Sequence, residues 1–297
     1  MHKIIGRRAV RSQAGLIAGT AIHSAVERLN LGKPIPEQEA AIDETLAKTP
    51  VPLDDYRTAP FLKDALAAFR AELGGLFVGW QIEEVEAHGT IELGVVQPRE
   101  QEPVQVIWEF RRDMVGVDPD GRRWLVDVKT SSRNEEAQVK AMQMSGALMG
   151  YIHSWQVQHP DKPISGAQPV RVIMRKPTKN GVAFEFPKDG PIFFPPERIA
   201  EWRRHTLRKA RELLERNPDD PEDWPLAAAE LGLCRHTFGC CDYLSTCVLK
   251  LEDRAMHLAS DAYESSEHER PVLGQIAPPL RNLKDTTERA GAGSSSV

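Results

Sequence analysis

Two runs of strand-forming residues, with a polar turn between them, dominate the middle of the chain. The first run carries the apolar residues Phe110, Met114, Val115 and Val117. An Asp-Pro-Asp-Gly sequence follows, a composition that favours a tight reversal of the chain. The second run, residues 124–128, is short and mainly apolar, as is typical of a buried strand. This pattern predicts a β-hairpin.

Charged residues occur on both strands of this hairpin. Asp127 and Lys129 are two positions apart, so their side chains share one face of the second strand. Such charges are costly on a buried strand unless they are paired, bind a metal or line a cleft. A surface ion pair is the simpler interpretation. The presence of Asp113 favours a functional interpretation, because pairing of the two strands around the turn brings Asp113 and Asp127 to the same end of the hairpin.

Asp113 and Asp127 are chemically suited to holding a divalent cation. Together with the main-chain carbonyl of Val128 they would provide the oxygen ligands that Mg²⁺ prefers. A lysine beside such an ion, here Lys129, can orient or deprotonate an attacking water while the ion neutralises charge on a phosphate. The hairpin therefore predicts hydrolysis of phosphodiester bonds.

Apolar residues at helical spacing flank the hairpin on both sides. The predicted helices span residues 14–30, 37–49, 60–73, 130–155 and about 195–216. Asn134 is the predicted N-cap of the fourth helix, because acidic residues follow it in the first turn.

Residues 80–96 alternate in polarity and predict a pair of strands that turns near His88 and Gly89. Glu84 and Glu86 lie in this segment. Exposed strand carboxylates are the preferred interpretation of both residues, ahead of an additional metal ligand.

A second hairpin is predicted from residues 169–176 and 181–187, which extend the sheet beyond the fourth helix. The fold class that follows is α/β, with a mixed central sheet flanked by helices. No internal repeat is evident in the sequence.

Asp113, the Asp127-Val128-Lys129 triplet and the order of the elements around them resemble the PD-(D/E)XK nuclease superfamily. The resemblance is closest to its RecB-like branch, which includes phage exonucleases, and it covers about residues 14–247. It implies a restriction-endonuclease-like domain over residues 1–250, with a helical N-terminal insert at residues 35–75. The insert is where the resemblance is weakest.

The same resemblance gives a role to His23, which stands at the end of a Gly19-x-x-x-His23 motif. It implies that His23 is a metal ligand beside Asp113, Asp127 and the Val128 carbonyl. Without the resemblance, a partly buried helical histidine is the simpler interpretation.

Gln143 matches the glutamine that RecB-like nucleases carry on the helix after the catalytic lysine. It would position Lys129 or the phosphate; a polar helix position without a role is the alternative. The family places a tyrosine four residues later, where this chain has Ala147, and the nearest tyrosine is Tyr151.

A cluster at residues 230–247 contains all four cysteines of the chain: Cys234, Cys240, Cys241 and Cys247. The resemblance assigns the first, third and fourth of these to a [4Fe–4S] cluster, which needs four thiolates. The N-terminal cysteine that completes such clusters is missing; either Cys240 replaces it, or Cys240 takes no part, since ligation of one cluster by the adjacent Cys240 and Cys241 is geometrically awkward. A zinc site completed by His236 and a set of buried free thiols are the alternatives, and the resemblance favours iron–sulfur over zinc.

The formal net charge of −5 is unusual for a protein that binds nucleic acid, so any basic surface must be local. No apolar run reaches the length of a membrane span. Clustered cysteines favour a reducing, cytoplasmic setting over a disulfide framework. Residues 251–297 are polar and are interpreted as a flexible tail.

The function that the resemblance implies is Mg²⁺- or Mn²⁺-dependent cleavage of DNA. It favours an exonuclease of phage or bacterial recombination or repair, acting with a single-strand annealing protein or a helicase. Three alternatives stay open: a non-catalytic binding module that keeps the fold, a structural metal protein whose main feature is the cysteine cluster, and an endonuclease or junction resolvase.

Overall fold

The structure is a computed structural model that describes residues 7–9, 14–74, 76–134, 136–179, 181–216, 235–236, 239–240 and 263–265. The helices are α1 (Ala14–Asn30), α2 (Ile35–Lys48), α3 (Ala59–Leu73), α4 (Glu136–Gln143), α5 (Gly146–Gln158) and α6 (Pro196–Leu214). The strands are β1 (Arg7–Ala9), β2 (Gln81–Val96), β3 (Val104–Val117), β4 (Arg123–Ser131), β5 (Gly166–Met174), β6 (Phe184–Glu185), β7 (Arg235–His236), β8 (Gly239–Cys240) and β9 (Tyr263–Ser265).

Strands β2 to β6 form a five-stranded sheet in that spatial order. β4 and β5 are parallel, and the other neighbours are antiparallel. The central hairpin is β3–β4, in which Val117 pairs with Arg123 and Met114 pairs with Val126. The predicted α/β class, the mixed central sheet and the central hairpin are confirmed.

The predicted strand pair over residues 80–96 is wrong, because β2 runs through His88 and Gly89 without turning. β2 pairs with β3 along nearly its whole length, and this continuous ladder overrides the local turn preference of glycine. Gly89 instead marks a close approach: a Cβ there would lie 3.1 Å from the Phe110 ring. The chain reverses in the loop between β2 and β3.

Two hydrophobic cores lie on opposite faces of the sheet. On one face, α1, α2 and α3 pack over apolar side chains that include Met114, Val126 and Val128. On the other, α5 and α6 pack over Val115 and Leu125. Side chains alternate along β4, so Asp127 and Lys129 point to the same face as Leu125, which is the face covered by α5.

The predicted helix over residues 130–155 is wrong in its extent. β4 continues to Ser131, and the helical segment is divided into α4 and α5. Ser145 begins the second helix, since its hydroxyl accepts the main-chain N–H of Leu148 at 3.3 Å. An N-cap inside the predicted helix therefore ends one helix and starts another.

The N-cap role of Asn134 stays a prediction, because residue 135, between Asn134 and α4, lies outside the described residues. Its amide donates to the carboxylate of Glu185 and accepts from the guanidinium of Arg171 at 2.9 Å. Asn134 thus connects the end of β4 to β5 and β6.

The remaining predicted elements agree closely with the structure. α1 has the predicted bounds, and α2 and α3 occupy the segment expected to be a helical insert. β5 and β6 form the second hairpin, although β6 is much shorter than predicted. Within the described ranges, no helix is long and apolar enough to cross a membrane.

The cysteine cluster lies almost entirely outside the described residues, which include only the backbone of Cys240 in β8. Of the predicted tail, only β9 is described, and it pairs with β1. The iron–sulfur, zinc and tail assignments therefore stay predictions.

Candidate metal centre

The site lies where the β3–β4 ladder ends. Beyond the Met114–Val126 pair, the next residues on the two strands are Asp113 and Asp127. The Oδ2 atom of Asp113 accepts the main-chain N–H of Val128 at 2.7 Å. The Asp113 side chain thus accepts a hydrogen bond that a main-chain carbonyl accepts in a regular ladder. Both carboxylates lie where β3 and β4 separate, a place referred to below as the opening.

Asp127 and Lys129 share one face of β4 and form an ion pair there. Lys129 Nζ donates to Asp127 Oδ1 at 2.8 Å. The Asp127 side chain is 2% exposed, and its Oδ2 atom is buried without a hydrogen-bond partner among the described residues. An unpaired carboxylate oxygen in such a place is costly unless a ligand reaches it. Its position therefore indicates a missing cationic or proton-donating partner.

A third carboxylate, that of Glu86 on β2, reaches the same opening. Glu86 lies between the pairs Val85–Met114 and Ala87–Arg112, and is therefore opposite Asp113. Its φ of 48° lies in the left-handed region, which is strained for a residue with a long side chain.

The strained residue coincides with a break in the alternation of β3. Arg112 and Val115 both face α5, whereas Met114 faces α1. Regular alternation would put Arg112 and Met114 on one face. The backbone irregularity opposite Glu86 allows the two facing carboxylates to turn towards α1.

His23 on α1 completes a group of three possible metal ligands. One ligand atom from each of His23, Glu86 and Asp113 lies within 4.8 Å of the other two. His23 Nδ1 is 3.6 Å from Asp113 Oδ1. Two carboxylates and an imidazole at this spacing can chelate a divalent cation.

The electrostatics of the site favour a bound cation. Burial raises the pKa of Glu86, even though Arg111 donates to its Oε2 at 2.7 Å. Burial also acts to raise the pKa of Asp113, but His23, Lys129 and the Val128 N–H outweigh it and hold that pKa below its usual value.

The charge of Lys129 follows from its neighbours. Burial acts to lower the pKa of Lys129, but the carboxylates of Asp127 and Asp113 outweigh it and raise that pKa. Burial raises the pKa of Asp127. The charge of Lys129 acts against this rise, and the charge of Asp113 adds to it. The site thus presents an ammonium group beside acidic groups crowded into one opening.

Glu86 is a candidate ligand that the sequence analysis placed behind the interpretation as an exposed strand carboxylate. The preferred interpretation of Glu86 as an exposed strand carboxylate is wrong, since its side chain is 7% exposed. Glu84 is not exposed either, because both its oxygens bind the guanidinium of buried Arg112, at 2.6 and 2.8 Å. The burial of Glu86 depends on β3 and α1, which no local pattern around residue 86 reveals.

Gln143 lies at the C-terminal end of α4 and is exposed, and its side chain makes no hydrogen bond within the described part of the chain. Gln138, five residues earlier on α4, is buried and donates to Ser131 at 2.9 Å. Tyr151 on α5 lies within electrostatic reach of Lys129 and Asp127; burial raises its pKa and Lys129 opposes that rise. Tyr151 therefore lies close to the charged side chains of the site.

The arginines around the hairpin mostly have partners within the protein. Arg112 is 1% exposed and also donates to Ser154 at 2.7 Å. Arg123 binds Glu83, and Arg122 pairs with Asp118. These guanidinium groups stabilise the sheet, whereas Lys129 and Arg111 pair with the acidic groups at the opening.

Comparison with known proteins identifies a family. The family model of the PD-(D/E)XK nuclease superfamily matches residues 2–248 of the chain. No curated protein matches the chain. Among solved structures, one described as the crystal structure of SSO0001 is 14% identical, with a TM-score of 0.30. That match covers 73% of this chain and 90% of the other.

Proposed function

The chain belongs to the PD-(D/E)XK nuclease superfamily, and we propose that it is a Mg²⁺- or Mn²⁺-dependent deoxyribonuclease that degrades DNA from its ends. The observation that carries the proposal is the convergence of His23, Glu86 and Asp113 within 4.8 Å, beside the Asp127–Lys129 ion pair.

The residues present fit a divalent cation. Carboxylate oxygens are the ligands that Mg²⁺ and Mn²⁺ prefer, and Asp127 Oδ2 is a buried acceptor without a partner among the described residues. His23, Glu86, Asp113 and Asp127 would hold the ion, with the Val128 carbonyl as a further candidate. The bound ion would neutralise charge on the scissile phosphate and make a bound water more acidic.

The protein's own groups orient the reaction. Lys129 is held by Asp127 and can donate its remaining N–H groups to a phosphate oxygen or to the attacking water. The Val128 N–H fixes one oxygen of Asp113, which leaves the other oxygen towards His23. Tyr151 borders the same opening, where its phenol can contact the substrate.

The preference for DNA ends and a role in recombination or repair extend the proposal beyond the family. The order of the motifs, from His23 through Asp113 and Lys129 to Gln143, supports an exonuclease of the RecB-like type. A single-strand annealing protein or a helicase is the expected partner. The spacing of Cys234, Cys241 and Cys247 supports an iron–sulfur cluster, with Cys240 as the fourth thiolate and zinc as the less favoured alternative.

The test is digestion of DNA labelled at its ends, with Mg²⁺ or Mn²⁺, compared with a covalently closed circle of the same sequence. Loss of the linear substrate alone is the expected result. Cleavage of the circle at an equal rate would keep the metal-dependent site and replace the exonuclease with an endonuclease. Absence of cleavage of both substrates by the folded protein would refute a nuclease.

A further inference from the structure

Helix α1 approaches β4 at a glycine. Gly19 is buried, and a Cβ built on it would lie 2.7 Å from the Oγ1 atom of Thr130 and 3.9 Å from its Cβ. The first distance is too short for two such atoms, so any other residue at position 19 requires α1 or Thr130 to move. Thr130 is the residue after Lys129.

The helix itself gives no reason for a glycine at this position. Glycine destabilises a helix interior relative to alanine, and Ala18 and Ala21 beside it are fully buried without being glycine. At position 19 the close approach of Thr130 leaves no room for a Cβ. The close packing of β4 against α1 therefore explains why residue 19 is a glycine.

The contact lies one helical turn before His23. Residues 19 and 23 share a face of α1, because four residues span about one turn. On β4, Thr130 points to α1 while its neighbour Lys129 points to the opposite face, as alternation requires. The Gly19–Thr130 contact thus lies between the two elements that carry the metal ligand and the catalytic lysine.

We propose that Gly19 and Thr130 are positioning residues, which set the separation of α1 from β4 and so hold His23 against Asp113 and Glu86. The inference rests on the proposed function for its catalytic consequence, whereas its geometric content is independent. A side chain at position 19 would move His23 away from the carboxylates without removing any ligand.

The first measurement is Mn²⁺ binding to Gly19→Ala by calorimetry, with folding checked by circular dichroism. We expect binding to weaken by about tenfold or more, the usual effect of disturbing a residue that orients a metal ligand. Gly15→Ala is the matched control on the same helix. Among the described residues, a Cβ there would meet only the end of the flexible Arg57 side chain, at 3.0 Å, so binding should stay at the wild-type value.

A pair of double variants separates this contact from a general defect of the helix. Thr130→Ala removes the clashing oxygen, so Gly19→Ala with Thr130→Ala should recover Mn²⁺ binding. Thr130→Val keeps the branched shape, so the corresponding double variant should stay impaired. Equal recovery by both, recovery by neither, or unchanged binding in Gly19→Ala alone would overturn the inference.

A crystal structure of Gly19→Ala tests the geometry without any assumption about activity. The separation of His23 Nδ1 and Asp113 Oδ1, 3.6 Å in the wild-type protein, should increase in the single variant and return in the double variant with Thr130→Ala. An unchanged separation would refute the positioning role. If the wild-type protein neither binds Mn²⁺ nor cleaves DNA but this separation responds as expected, the proposed function fails while the inference stands.

Discussion

Glu86 and Asp113 face each other across β2 and β3, at the place where Glu86 has a φ of 48°. Two buried carboxylates in such proximity repel each other, and a strained backbone adds to the cost. In a metal centre, a bound cation attracts both carboxylates and so offsets the repulsion between them. The site is therefore expected to be more stable with a divalent cation than without one.

Glu86→Gln should weaken Mn²⁺ binding by about tenfold or more, since it removes one charge from the ligand set. It should leave the free energy of unfolding without metal unchanged or slightly higher, because a buried carboxylate beside another carboxylate is lost. Calorimetry with Mn²⁺ and urea denaturation in the presence of a chelator provide the two values.

Glu84→Gln is the matched control for that variant, two residues away on the same strand. Glu84 binds Arg112 and takes no part in the ligand group. Its substitution should lower stability and preserve Mn²⁺ affinity. The reverse pattern in the two variants would mean that Glu86 is a structural residue.

Arg112→Met should lower the free energy of unfolding by about 3–5 kcal/mol, because Glu84 would be left partly buried without its counter-ion. Arg122→Ala, in which a 57% exposed guanidinium is lost, should change it by less than about 1 kcal/mol. Equilibrium denaturation of both variants checks this difference. Similar losses for the two would contradict the role of Arg112 as the buried link between β3 and α5.

The carboxylate of Asp113 has two separable tasks, which Asn and Ala substitutions distinguish. Asp113→Asn can still accept the N–H of Val128, so it should fold with near wild-type stability but bind Mn²⁺ weakly. Asp113→Ala leaves that buried N–H without an acceptor and should cost a further 1–3 kcal/mol or so of stability. Equal unfolding free energies for the two variants would show that the hydrogen bond to Val128 is unimportant.

Stability should fall below neutral pH in part because of His153. Burial lowers the pKa of His153 from its usual 6.5, and the nearby Arg203 lowers it further, while Trp202 packs against the ring. The folded state thus favours the neutral imidazole. Its contribution is complete above pH 6.5 and is lost as the pH falls through the lowered pKa of the folded state.

Urea denaturation between pH 7.5 and 5, for the wild-type protein and His153→Gln, measures this contribution. The decline in unfolding free energy with falling pH should be shallower in the variant. Parallel pH profiles for the two proteins would exclude His153 as a source of the decline.

The sequence was sufficient for features whose cause is local. The period of two on β4 predicts that Asp127 and Lys129 share a face, and the turn at 118–121 predicts the pairing that brings Asp113 to Asp127. These positions follow from strand geometry and turn composition alone. The helix α1 was likewise predicted with its observed bounds.

The features that the sequence did not reveal depend on contacts between distant segments. Glu86 is buried by β3 and α1, and Gly89 is required by a ring from β3 rather than by a turn. Ser145 did carry a local signal, since serine is a preferred N-cap, but the apolar pattern on both sides of it favoured one long helix. Gly19 meets Thr130 of β4, a contact that no local pattern around residue 19 reveals.

The most direct test of the account is the single-turnover rate of DNA cleavage by Lys129→Met at saturating Mn²⁺, with Mn²⁺ binding measured on the same preparation. We expect the variant to bind the ion and DNA but to cleave about 100-fold or more slowly than the wild-type protein, because the donor beside the phosphate is lost. Cleavage at the wild-type rate by a Lys129→Met protein that binds Mn²⁺ would contradict it.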